Sequence, residues 1–138
     1  MRRIVIRFNA PVLLTFALLS LIALFLGNWT DGATTYRYFS VYRSSLGDPL
    51  TYLRMFTHVL GHADYSHYMN NMLLLLLVGP VVEEKYGHRT IFFSILLTAL
   101  VTGLVQFVFF PNTALLGASG IVFMMIVLSS FTEMRKEG

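Results

Sequence analysis

Four long apolar runs dominate this 138-residue chain and limit what it can fold into. They lie near residues 11–27, 68–82, 91–110 and 114–131, and each approaches the roughly 20 residues that cross a bilayer as a helix. Hydrophobic residues make up 56% of the chain and charged residues only 12%, which does not describe a soluble domain. The sequence therefore predicts a single all-α domain over residues 1–138, a polytopic membrane helix bundle with four transmembrane helices and a long interfacial loop between the first two.

The basic residues stand at the ends of the apolar runs and form no aromatic-rich basic patch. This arrangement excludes a nucleic-acid partner and makes the lipid bilayer the expected surrounding. If every run crosses the membrane, three basic clusters share one side, which the positive-inside tendency assigns to the cytoplasm together with the N-terminus. These clusters are Arg2, Arg3 and Arg7, then Lys85 and Arg89, then Arg135 and Lys136.

A serine between small residues opens the last apolar run. At a helix N-terminus, Ser119 would be surrounded by amides that lack intrahelical partners, and these donors can stabilise an oxyanion together with the helix dipole. Gly117 permits an unusual turn, and Gly120 lets a neighbouring helix approach closely. Taken alone, this motif is also typical of helix packing in membranes.

Two polar residues upstream, His67 and Asn71, are four positions apart and share one face of the second helix. They can offer N–H groups to the same developing negative charge, which predicts an oxyanion hole with Ser119; a structural polar pair between helices is the alternative. The histidines are His58, His62, His67 and His88, so none follows Ser119 as a base.

Three of these histidines, His58, His62 and His67, also suggest a metal site or the proton path of a small channel. Neither is favoured, because no carboxylate lies nearer than Asp64 and the spacing is not that of a zinc motif. The absence of cysteine excludes thiolate sites. We therefore expect no metal and no cofactor, and loop-bracing hydrogen bonds for His58 and His62.

Local signals predict several element ends. Asp48-Pro49 favours a short helix start, Asp64 or Ser66 can cap the second long helix, and Gly87 suits its end. Glu83-Glu84-Lys85 is expected to be a solvated helix end. In the third long helix, a polar stripe should face protein, and its last member is placed to hold water near the serine; the stripe is Ser94, Thr98, Thr102 and Gln106.

These residues together resemble the rhomboid family of intramembrane serine proteases. The resemblance runs from about Arg54 to Glu133. It rests on Arg54-Met55-Phe56-Thr57-His58, His62, His67 with Asn71, Gly79 with Glu83 and Gly87, Gly103 with Gln106, and Gly117-Ala118-Ser119-Gly120. The resemblance implies a six-helix core whose active site opens to the outer side and, in bacterial forms, cytoplasmic termini in the inner membrane.

By position, the resemblance implies that Ser119 is the nucleophile and that His67, Asn71 and the Ser119 amide form the oxyanion hole, supported by His58 and His62. The implied activity is cleavage of transmembrane protein substrates near the outer interface through an acyl-enzyme, without a cofactor. The family's last two helices, with the histidine that takes the serine proton, have no counterpart in these 138 residues. We therefore expect this chain to be incomplete at its C-terminus and inactive alone; a non-catalytic rhomboid-like protein that binds transmembrane segments is the alternative.

Overall fold

The structure is a computed structural model that describes residues 9–137, with side chains up to residue 131. Over this range the chain forms six α-helices and a 3-10 turn, His58–Leu60, and the only β-type pairing is an isolated bridge between Val41 and Leu115. The predicted all-α fold is confirmed. The helices are α1 (Pro11–Trp29), α2 (Ala33–Tyr38), α3 (Pro49–Thr57), α4 (Tyr65–Tyr86), α5 (His88–Phe109) and α6 (Ser119–Glu137).

Helix α4 packs against α1, α5 and α6. At the contact of α1, α4 and α6, Gly79 has no side chain, and a Cβ placed there would overlap Leu13 and touch Met125. The core around this contact is fully buried and comes from all four long helices: Leu13, Leu24, Leu75, Val82, Ile91, Ile121 and Met125. Close packing of these side chains stabilises the bundle through van der Waals contacts between the helices.

Two of the described helices, α1 and α5, are long and apolar enough to cross a membrane. Helix α6 contributes a shorter apolar stretch, Ser119–Phe131, and α4 is equal in length to α5 but ends in the charged residues Glu83, Glu84 and Lys85. The count of four transmembrane helices therefore stays a prediction.

The local start and stop signals are confirmed. The Asp48 carboxylate accepts the N–H of Leu50 at 3.0 Å and caps α3. Asp64, not Ser66, caps α4, since its carboxylate accepts the N–H of His67 at 2.9 Å. Gly87 ends α4 with a φ of +95°, a conformation that residues with a side chain rarely adopt.

Glu83 contradicts the prediction of a solvated helix end, although Glu84 and Lys85 are exposed. Its side chain is completely buried, and its carboxylate accepts the N–H groups of Val12 at 3.1 Å and Leu13 at 2.9 Å. Helix α1 begins after Ala10, whose side chain cannot cap it. Glu83 thus supplies from α4 the acceptor, and the negative charge, that the N-terminus of α1 requires.

The long segment between α1 and α4 is organised around Arg54, which is buried. Its guanidinium donates to the carbonyl oxygen of Arg37 at 2.9 Å, lies 3.7 Å from the Asp48 carboxylate and stacks over the ring of Tyr42 at 4.6 Å. One side chain therefore ties together both ends of the 37–48 loop, while the neighbouring Leu53 is exposed.

Candidate active site

Ser119 is the first residue of α6, and it is exposed. Gly117 has a φ of +119°, which a glycine adopts without strain and which turns the chain into the helix. The first helical hydrogen bond of α6 is donated by Val122, and the N–H groups of Ser119 and Gly120 donate none within the described residues. The start of α6 therefore presents free amide donors and the positive end of a helix dipole beside the serine hydroxyl.

The amide of Asn71 reaches the same turn from α4. A Cβ placed on Gly117 would lie 3.8 Å from the Ser119 Oγ and 3.9 Å from the Asn71 Nδ2, so the hydroxyl and the carboxamide flank one small space. Because residue 117 is a glycine, that space is open. Ser119, Asn71 and Gly117 therefore lie around one turn, and the catalytic roles of Ser119 and Asn71 stay predictions.

His67 lies one helical turn before Asn71, at the exposed start of α4. Its peptide N–H is bound to Asp64, and over the described part of the chain its imidazole makes no hydrogen bond. Its predicted role in the oxyanion hole therefore still rests on its spacing from Asn71 and on the resemblance.

His62 braces the backbone directly before the serine. Its Nε2 accepts the N–H of Ala118 at 3.3 Å, and its Nδ1 lies 3.2 Å from the carbonyl oxygen of Leu60, to which it donates in the neutral tautomer. Burial lowers the pKa of His62, which favours that neutral form. The imidazole is thus held as one acceptor and one donor between two loops.

His58 holds the same turn from the other side. Its carbonyl oxygen accepts the N–H of Gly117 at 2.8 Å, and its buried Nε2 lies 2.8 Å from the carbonyl oxygen of Ala99 in α5. Burial lowers the pKa of His58 as well. The ring fits against α5 because Gly103 leaves room: a Cβ there would lie 3.3 Å from the His58 Nε2.

Two further contacts fix the loop between α5 and α6. Gln106 donates from Nε2 to the carbonyl oxygen of Thr113 at 3.0 Å and lies 2.8 Å from its hydroxyl, while Val41 and Leu115 exchange two backbone hydrogen bonds of 2.9 Å. The Gln106 amide N–H therefore supports the loop; the predicted water near Ser119 stays a prediction. Sequence reasoning missed Val41, because a single bridging residue has no periodic signal.

The polar stripe of α5 faces protein as predicted: Gln106 is buried, and Ser94, Thr98 and Thr102 are half-buried. Gly120 packs against this stripe, where an added Cβ would lie 3.6 Å from the Thr102 methyl group, an ordinary van der Waals distance. The approach of α6 to α5 at Gly120 is therefore close but would leave room for a methyl group.

Residues 49–137 match the Rhomboid domain family. The chain belongs to the rhomboid family. All candidate site residues of this rhomboid chain, from His58 to Gly120, lie within the matched range. Its family and its apolar helices identify it as an integral membrane protein with a helical bundle.

A relative of this rhomboid chain is Rhomboid-like protein 11, chloroplastic, of Arabidopsis thaliana. The two sequences are 34% identical over 74 residues, which cover 53% of this chain and 26% of the relative. The chain thus aligns with about a quarter of that protein's length.

Proposed function

We propose that this rhomboid chain carries the nucleophile and oxyanion-binding half of an intramembrane serine endopeptidase. One observation supports this most directly: the exposed Ser119 hydroxyl and the Asn71 carboxamide flank the space left open by Gly117 at the start of α6. A hydroxyl beside preorganised N–H donors is the arrangement that acyl transfer requires.

In the proposed reaction, the Ser119 Oγ attacks the carbonyl carbon of a substrate peptide bond. The negative charge that develops on the carbonyl oxygen is stabilised by the Ser119 peptide N–H, the Asn71 carboxamide and the His67 imidazole. The amine leaves, an ester links the substrate acyl group to Ser119, and water later hydrolyses that ester.

The proton of the Ser119 hydroxyl needs a base. Over the described residues, no imidazole or carboxylate is within hydrogen-bond distance of its Oγ. Both ring nitrogens of His62 are directed at backbone groups, and the Nε2 of His58 is directed at the carbonyl oxygen of Ala99. We propose that the later-helix histidine implied by the family resemblance takes this proton in the full-length protein. The 138-residue chain should therefore show no measurable proteolysis, and cleavage by it would disprove this assignment of the base.

The proposed substrates are transmembrane protein segments that unwind near the outer membrane interface. The proposal includes a four-span arrangement for this chain, within a six-helix core, a cytoplasmic N-terminus and a site open to the outer side of a bacterial inner membrane. It is supported by the basic residues at the ends of the apolar runs and by family membership.

A fluorophosphonate probe tests the nucleophile in the full-length protein. Labelling should be abolished in Ser119→Ala and preserved in Ser130→Ala, which changes an exposed serine on the same helix. Equal labelling of Ser119→Ala and the parent would refute the assignment.

Turnover of a transmembrane substrate tests the oxyanion hole. Asn71→Ala should lower the rate by on the order of 10²-fold, since one oxyanion donor is lost. Asn70→Ala, an exposed neighbour on another face of α4, is the matched control and should retain full turnover. Unchanged turnover in Asn71→Ala would remove that residue from the site.

A non-catalytic rhomboid that binds transmembrane segments is the second candidate. Within the described residues no base lies beside Ser119, and a longer chain that also lacked the later-helix histidine would favour this candidate. For this candidate, the full-length protein would bind a transmembrane peptide without cleaving it, and Ser119→Ala would leave binding unchanged.

A further inference from the structure

An apolar groove lies on a face of the bundle that carries none of the candidate site residues. Helices α1 and α5 form its walls, and the end of α3 with the 3-10 turn closes it. Its volume is about 430 Å³, within the range of sites that hold small molecules. Residues that line it include Thr15, Leu19, Phe56, Leu60, Phe92 and Leu96.

The surfaces beside the groove are apolar. The walls of the groove are the two described helices that are apolar enough to cross a membrane. On these helices Leu18 is 58% exposed and Phe93 is 59% exposed, so the surfaces beside the groove suit contact with hydrocarbon. Water fills a carbon-lined space poorly, because it finds no hydrogen-bond partners there. An acyl chain is the apolar filler that a bilayer supplies.

Among the described residues, Arg89 lies on α5 just before the part of the helix that lines the groove. Arg89, Phe92 and Leu96 are spaced i, i+3 and i+7 and therefore lie along one face of α5. Arg89 is about 4.5 Å nearer the start of the helix than the groove-lining Phe92. It is exposed and forms no ion pair within the described part of the chain. A basic residue beside a groove between membrane helices favours an anionic lipid headgroup.

We propose that this groove binds one acyl chain of an anionic phospholipid whose phosphate contacts Arg89. The site goes beyond the proposed peptidase function and does not depend on it, because no residue of the candidate active site lines the groove.

Native mass spectrometry tests the headgroup part of the proposal. The protein, in detergent, is incubated with equal amounts of dioleoyl phosphatidylglycerol and dioleoyl phosphatidylcholine. We expect phosphatidylglycerol adducts to exceed phosphatidylcholine adducts about five-fold. Arg89→Gln should bring that ratio close to one. Lys85→Gln, which removes an exposed charge at the adjacent end of α4, should leave the ratio unchanged. Equal adducts for the parent protein, or equal ratios for the two variants, would overturn the proposal.

Filling the groove tests the acyl-chain part. Thr15→Trp should reduce adducts of both lipids, whereas Leu18→Trp, on the same helix but outside the groove, should not. Leu96→Trp, on the opposite wall, is a second blocking variant should Thr15→Trp fold poorly. Equal lipid retention in blocked and control variants would refute the site. The site would also be refuted if, in protein without bound lipid, the groove were covered by a second copy of the chain or by residues 1–8 of the same chain.

Discussion

Replacing Glu83 should loosen the start of α1, although Glu83 is about 70 residues away in sequence. In Glu83→Ala, the N–H groups of Val12 and Leu13 lose their acceptor, and the Leu13 bond is buried. The His88 Nδ1 also loses its 2.7 Å contact with the carboxylate, which contributes less because that imidazole is half-exposed. Hydrogen bonds to charged groups contribute about 1.5–3 kcal/mol each. Removing the buried carboxylate also removes its desolvation cost, which offsets part of the loss. We therefore expect a loss of about 3 kcal/mol in the free energy of unfolding, near the sum of one strong bond and one helix cap.

The measurement is unfolding in mixed micelles with increasing SDS, followed by far-UV circular dichroism. Glu84→Ala is the matched control, because Glu84 is the exposed neighbour of Glu83, and its effect should stay within about 0.5 kcal/mol. Glu83→Gln, which keeps one acceptor oxygen but no charge, should fall between the two. Hydrogen exchange adds a local readout: the amides of Val12 and Leu13 should lose protection in Glu83→Ala.

The reasoning would be refuted if Glu83→Ala and Glu84→Ala unfolded at the same SDS fraction. It would also fail if the two amides of α1 kept their protection in Glu83→Ala. Either result would mean that the contact between α4 and the start of α1 does not stabilise the bundle.

Two further predictions use the same unfolding assay, and a third uses hydrogen exchange. Gly103→Ala should destabilise the protein by about 1 kcal/mol, because the added Cβ would lie 3.0 Å from a backbone oxygen of α3. Gly120→Ala is the control and should be tolerated, because its Cβ would make only ordinary van der Waals contacts. Equal losses of stability in the two variants would contradict this packing argument. Burial holds the pKa of His62 below its ordinary value of about 6.5. Below pH 6.5 the folded state therefore binds fewer protons than the unfolded state. The stability that His62 contributes should be full above pH 6.5 and should fall as the pH drops below it. In His62→Gln, the free energy of unfolding should fall less at acid pH. His67→Gln, which changes an exposed imidazole, is the control. An unchanged dependence of stability on pH in His62→Gln would contradict the role of His62 in holding the backbone before Ser119. Arg54→Lys should raise hydrogen exchange across residues 37–48, since a lysine cannot reproduce the guanidinium contacts, and unchanged exchange would show that the loop has another anchor.

Much of the secondary structure follows from signals within a few residues. The Asp48 and Asp64 caps and the Gly87 stop all act on their nearest backbone groups, so the sequence predicts these ends correctly. Helix bounds shift by two or three residues where such a signal is weak: α1 ends at Trp29, not near Gly27.

The residues of the candidate site were chosen from residue types and spacing. Small residues around Ser119 predict a turn into a helix, and the separation of four between His67 and Asn71 predicts a shared face. These are properties of one helix at a time, and so they do not establish which helices meet.

Only the tertiary structure decided which helices and side chains come into contact. It placed the Asn71 amide at the turn before Ser119, fixed that turn through the backbone of His58 and the ring of His62, and buried Glu83 under the start of α1. The sequence determined the apolar helices and their ends, because hydrophobicity and capping act locally. Partners that lie some 50 to 70 positions apart meet only when the helices pack, and so a charged residue at a helix end gives no local sign of burial.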